Sequence, residues 1–342
     1  MIQSRSAYAR RPAAVFLAAV VLFLGAVPFA PSRATTFTAG QQRESRINLA
    51  VLRADGILLP FASFDGDDWR ASWPSDLSGQ DLPVNLASVP RSWWGGTEPG
   101  PWRLFTPDGG APQQVTPGAP AMIRVGAAVR LGLRTDYAAA KMNVPPFAVA
   151  YPKTGLAVAG DVDIKPISIV SLAAPSSQAL VQMVREEVNE VEERTIGALR
   201  SNTGWRHPID TKVRASIGPQ LEALYVTANA GAQVSYVEMA KKYPPGPKDE
   251  GCGLETFVTG WIMKDVKEER PKFDLKAIVV YCDRDRASYM LPLAHVIVRD
   301  RTYWIYQMSG QDHEWYAVAE AARNRVRVVA EYFAGGVPNP LR

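Results

Sequence analysis

Residues 252–282 read CGLETFVTGWIMKDVKEERPKFDLKAIVVYC, and their pattern decides the fold. Two runs, Leu254 to Met263 and Phe273 to Cys282, are rich in Val, Ile, Phe, Tyr and Trp. Those side chains suit a pleated, partly buried surface, so both runs predict strands. The stretch between them, Lys264 to Lys272, is charged and carries Pro271, which marks a connection. In a simple antiparallel hairpin, opposed residue numbers sum to a constant. Setting Ile262 opposite Lys272 puts Val258 opposite Lys276 and Cys252 opposite Cys282. These are the chain's only two cysteines, and an exported chain is expected to pair them. Closing a loop of this size stabilises a fold by about 3–4 kcal/mol in the chain-entropy picture. Nothing resembles Cys-x-x-Cys, so the pair reads as structural rather than redox-active.

Outward from this hairpin the β pattern continues on both sides. Leu221 to Thr227 and Val234 to Ala240 flank Asn229-Ala230-Gly231, and Met290 to Val298 and Thr302 to Ser309 flank the charged turn Arg299-Asp300-Arg301. The segment from Trp315 to Phe333 fits two patterns. Trp315, Val318, Ala319, Ala322, Val326, Val329, Ala330 and Phe333 form a helical stripe ending at Gly335-Gly336. Trp315 to Glu320 and Arg325 to Phe333 also read as a hairpin about Arg323-Asn324, which Val326, Val328 and the neighbouring strands favour.

One helix stands out. Pro175-Ser176-Ser177 is a start signal, and Val181, Val184, Val188, Val191, Thr195 and Ala198 recur at three- and four-residue steps. Arg185, Glu186, Glu187, Glu190, Glu192 and Glu193 fall on the other side, with no histidine among them, and predict a solvated face.

The N-terminal half reads as short strands between turns: Ile47 to Leu52, Ile57 to Phe64 and Trp69 to Trp73, with Asp55-Gly56 and Asp65-Gly66 as hairpin signals. Prolines and glycines crowd residues 83–120, around a short hairpin of Trp102 to Phe105 and Gln113 to Val115. Further runs lie at Ala121 to Val125, Val129 to Arg134 and Ile164 to Val170. Leu58-Leu59-Pro60-Phe61-Ala62 echoes Met290-Leu291-Pro292-Leu293-Ala294, but no third copy accompanies them, so a repeat architecture is not expected. The expected class is mainly β, a β-rich α+β protein of antiparallel meanders with one long helix near the middle. Residues 35–172 form its N-terminal β-rich region and residues 173–342 its C-terminal one.

The first thirty-four residues predict a secretory signal peptide. Arg5, Arg10 and Arg11 form a basic start, Ala13 to Ala30 is almost wholly apolar, and Ser32-Arg33-Ala34 supplies a small-residue cleavage site after Ala34. Arg10-Arg11 lacks the surroundings of a twin-arginine signal, because Pro12-Ala13 follows it. The expected location is periplasmic or extracellular. Four of the 38 basic residues and none of the 34 acidic ones lie in this signal, which leaves 34 against 34. A balanced chain lacks the surplus of Lys and Arg that phosphate contacts require, so nucleic acid is not an expected partner. After cleavage no apolar stretch long enough to span a bilayer remains.

Candidate chemistry is sparse. Asp312-His313-Glu314 is the densest titratable cluster, but Trp315-Tyr316-Ala317 follows it, so it is no His-Glu-x-x-His zinc site. Asp65, Asp67 and Asp68 offer oxygens on a tight turn, yet lack the length and the Glu of an EF-hand loop. Trp93, Trp94 and Trp102 lie among Gly- and Pro-rich loops, where exposed rings could stack on sugars. There is no Walker loop, nucleophile elbow or dinucleotide fingerprint, and no cofactor is expected. The leading expectation is an exported non-catalytic protein that binds a ligand, a glycan or an envelope partner. The alternative is a secreted hydrolase with its site near Asp312, His313 and Glu314.

Overall fold

The computed structural model describes residues 46–71, 100–106, 110–125, 128–137, 153–229, 231–245, 253–265, 267–268, 270–284, 286–310 and 313–336. Asp-Gly closes the first hairpin as its chemistry allows. Strand β1 (Ile47–Arg53) turns into β2 (Ile57–Phe64) through Gly56 at φ 79, while Asp55 accepts from the Ile57 amide and pairs with Arg53. With β3 (Trp69–Arg70), β4 (Trp102–Phe105), β5 (Gln113–Val115), β6 (Pro117–Val125), β7 (Ala128–Thr135) and β8 (Lys153–Ala159) they build an eight-stranded sheet. Its order is β5-β4-β8-β1-β2-β7-β6, with β3 beside β2. The sequence does not announce β8, because KTGLAVA is short of β-branched and aromatic residues. Gly155 is nonetheless required there, since a Cβ would collide with the Phe105 carbonyl oxygen of the neighbouring strand.

The run expected as one strand from Ile164 to Val170 is two, β9 (Ile164–Lys165) and β10 (Ser168–Ile169), in different sheets. Pro166 stands between them, and without an N–H it cannot continue a ladder. Helix α1 (Pro175–Thr203) follows, ending on Gly204 at φ 73, then the short α2 (Thr211–Ser216). Strand β10 pairs with β11 (Gln220–Asn229), and β12 (Ala232–Lys242), β13 (Leu254–Asp265) and β14 (Lys272–Tyr281) extend this antiparallel sheet. Strands β15 (Tyr289–Val298), β16 (Arg301–Ser309), β17 (His313–Ala321) and β18 (Val326–Gly336) form the last sheet with β9. The segment with two readings is therefore a hairpin, β17–β18.

Side-chain alternation stacks these elements. From the β15–β18 sheet, Tyr303, Ile305, Tyr316, Val318 and Tyr332 share a core with Leu49, Phe61 and Val158 of the eight-stranded sheet. Trp304, Tyr306, Met308, Trp315, Ala317 and Ala319 face the other way, onto Val234, Tyr236 and Met263. The far face of the β10–β14 sheet, with Leu224, Val237, Val258, Ile262 and Leu275, lies under Val184, Val188 and Val191 of α1. The order of layers is thus eight-stranded sheet, middle sheet, helix-backed sheet, helix. Residues from both halves of the chain share the first core, and the described residues form one compact unit.

Two further expectations need correction, and one observation is explained. The β13–β14 register is displaced by one residue: Val258 faces Ala277 and Ile262 faces Phe273, not Lys276 and Lys272. The expected register would have put two lysines under the helix beside valine and isoleucine, and burial of one face decides such slips. Glu192 is not on a solvated face. It is 1% exposed, and its carboxylate accepts from Lys241 Nζ at 2.6 Å, Thr256 Oγ1 at 2.5 Å and the Tyr243 hydroxyl. The echoed Leu-Pro segments share a bulge rather than a repeat unit: pairing skips Phe61 after Pro60 and Leu293 after Pro292.

Candidate functional site

The middle and helix-backed sheets do not close along their whole length. Between them lies a cleft of about 240 Å³. Tyr236, Trp261, Tyr306 and Trp315 supply its rings, and Thr259, Asp274, Lys276, Ser288 and Glu331 its polar groups. The strands place them directly. Thr259 faces Lys276 and Trp261 faces Asp274 across β13–β14, so all four project from one face of the sheet. Trp261 is half-buried and meets Trp304 at 4.9 Å, Tyr236 at 5.0 Å and Tyr306 at 5.9 Å, each edge to face. Burial pushes the hydroxyls of Tyr236 and Tyr306 well above the ordinary tyrosine range, so both stay protonated.

Ser288, immediately before β15, connects the cleft to His313. Its Oγ lies 2.8 Å from His313 Nε2, and both residues are 2% exposed. The imidazole stacks on Trp315 at 5.2 Å and 26°. Gly310 backs the ring: a Cβ there would collide with His313 Cε1, and the Gly310 amide donates to the His313 carbonyl at 2.9 Å.

Two residues beyond Ser288, the Met290 amide donates to Glu238 at 2.6 Å. Burial pushes the Glu238 carboxyl up to about 7, with the charge of Glu222 adding to the shift. Arg284 grips Glu222 at 2.7 Å and Glu255 at 2.7 Å nearby. That hydrogen-bonded fork holds the Glu222 carboxyl below its usual range.

The expected sites fare unevenly. Asp312 lies outside the described residues. Glu314 follows His313 on a strand, so it points to the opposite layer, where Gln307 donates to it at 3.2 Å and Tyr316 at 2.5 Å. His313 and Glu314, adjacent in sequence, therefore do not share one site. Asp65 accepts from the amides of Asp67 and Asp68 and pairs with Arg70, while Asp67 pairs with Arg299. Those amide bonds hold the Asp65 carboxyl below its usual range. Among the described residues no group of three His, Cys, Asp or Glu is placed to hold a metal ion. Trp93 and Trp94 lie outside the described residues, and Trp102 is buried in the core beneath the eight-stranded sheet. Cys252 also lies outside them.

The cleft's own rings, Trp261 and Trp315, carry no sequence signal that separates them from core aromatics. Among the described residues no helix is long and apolar enough to cross a membrane. No protein-family model, curated protein or solved structure matches the chain.

Proposed function

We propose that this chain is an exported protein that binds a ring-bearing ligand, a glycan first among the classes, in the cleft between its middle and helix-backed sheets. The observation that carries this reading is the composition of one concavity: Tyr236, Trp261, Tyr306 and Trp315 beside Asp274 and Lys276. Rings offer apolar faces to sugar C–H groups, and the charged pair offers donors and acceptors to hydroxyls. Export rests on the basic, apolar and small-residue segments of residues 1–34. A Cys252–Cys282 disulfide belongs to the same reading. Its support is that no cysteine among the described residues is free.

Thermal unfolding of residues 35–342 against glycans, peptidoglycan fragments, divalent metals and a chelator tests the reading. A ligand at a hundred times its dissociation constant adds about 2.7 kcal/mol, a shift of several degrees. One glycan class should raise the midpoint, and Lys276→Ala should abolish the shift. A glycan shift unchanged in Lys276→Ala moves the site elsewhere.

A protein partner is the second reading. It is favoured by a groove beside β9 and β10 in which Ile169 is 76% and Leu291 46% exposed.

A further inference from the structure

We propose that Ser288 and His313 act as nucleophile and general base, making the cleft an esterase site for an acylated ring-bearing ligand. The proposal rests on the cleft being the binding site. Three observations carry it. Ser288 lines the cleft, and its Oγ sits 2.8 Å from His313 Nε2, within the reach that proton transfer requires. Both side chains are almost wholly removed from water, where a serine hydroxyl and an imidazole interact most strongly. The imidazole is held on two sides, by the Trp315 ring and by Gly310, which has no Cβ to displace it. Trp315 also lines the cleft, so the ring that orients the base belongs to the wall that would receive the ligand.

The chemistry balances without a cofactor. With the imidazole proton on Nδ1, Nε2 takes the Ser288 proton as Oγ bonds to the acyl carbon. The acyl–oxygen bond breaks, and the leaving alcohol receives that proton from Nε2. Water then adds to the acyl-serine by the same route, releasing a carboxylic acid and free Ser288. Glu314 has no part in this, since it faces the other layer. Gly310 is a positioning residue, acting through the imidazole.

A biotinylated fluorophosphonate, which phosphonylates activated serines, tests the pair on the folded chain. Peptide mass spectrometry should find the adduct on Ser288, with none in Ser288→Ala and none once urea unfolds the protein. His313→Gln should slow labelling about 100-fold, the lower end of what a general base contributes. Absence of a Ser288 adduct in folded wild-type protein overturns the proposal, as does labelling that survives urea. Equal labelling of His313→Gln also overturns it. The urea comparison needs no variant, so it stands even where a substitution prevents folding. Failure here is separable from failure of the cleft: a glycan that raises the midpoint of an unlabelled protein leaves binding intact and removes the esterase.

Discussion

The two faces of the helix-backed sheet bury polar groups in opposite ways. Under α1, Lys241 is 0% and Glu192 1% exposed, and the pair is closed by Asn189, Thr256 and Tyr243. On the other face, Thr259, Asp274 and Lys276 border the cleft. Alternation along β12 and β13 puts both arrangements on the same strands. A buried charge closed in on every side supports a fold, whereas polar groups that border a concavity can also meet a ligand. The difference places the proposed ligand site on the face where the sheet is not sealed.

The sealed face offers the largest effect. Glu192→Ala leaves the Lys241 ammonium buried without its partner, and breaking such a pair costs about 3–5 kcal/mol. Denaturant unfolding should show that loss. Replacing both partners, Glu192→Leu with Lys241→Met, should recover most of it, since the uncompensated charge disappears. A Glu192→Ala variant as stable as the parent would mean water reaches the pair, and the contrast between the faces would fail.

Next comes Glu238, on the open face. Its folded carboxyl titrates at about 7 against an ordinary 4.5, so the folded state holds the proton more tightly than the unfolded one. Stability is therefore greatest below the ordinary value, falls as pH rises between the two, and the loss is complete above about 7. At about 1.36 kcal/mol per unit the loss approaches about 3 kcal/mol. Glu238→Gln keeps an acceptor for the Met290 amide but has no charge to form. It should match wild type near about pH 4 and exceed it at about pH 8, by an amount read from unfolding curves at each pH. Parallel pH profiles for the two proteins would remove the raised carboxyl.

Most strands are legible in the sequence because turns such as Asp55-Gly56 and patterns such as Leu254 to Met263 are local. The site is not, because it depends on register. Ser288 carries no motif, and it meets His313 only because Tyr289 faces Ser309 and Ser309 faces Glu314 across three strands. Given those registers, the meeting can be counted out from the sequence. Period-two alternation, applied to residues 313–316, likewise separates His313 from Glu314. Glu192 misleads because helical spacing alone does not reveal that Lys241 and Tyr243 stand opposite it.

Thr259 gives the smallest effect and the finest division between the faces. Its hydroxyl hydrogen-bonds Tyr236 at the border of the cleft. Thr259→Val keeps the shape and removes one hydrogen bond, a net contribution of about 0.5–1.5 kcal/mol. Because the cleft is open, water can replace the lost partner, so the cost should fall at the low end of that range. Thr256→Val, the same change three residues earlier, removes a bond to the sealed Glu192 carboxylate and should cost more, about 1.5–3 kcal/mol for a charged partner. Unfolding both variants in parallel compares identical chemistry on the two faces of one strand. Equal losses would mean that the cleft face is as dry as the helix face, and would take away the reason for placing a ligand there.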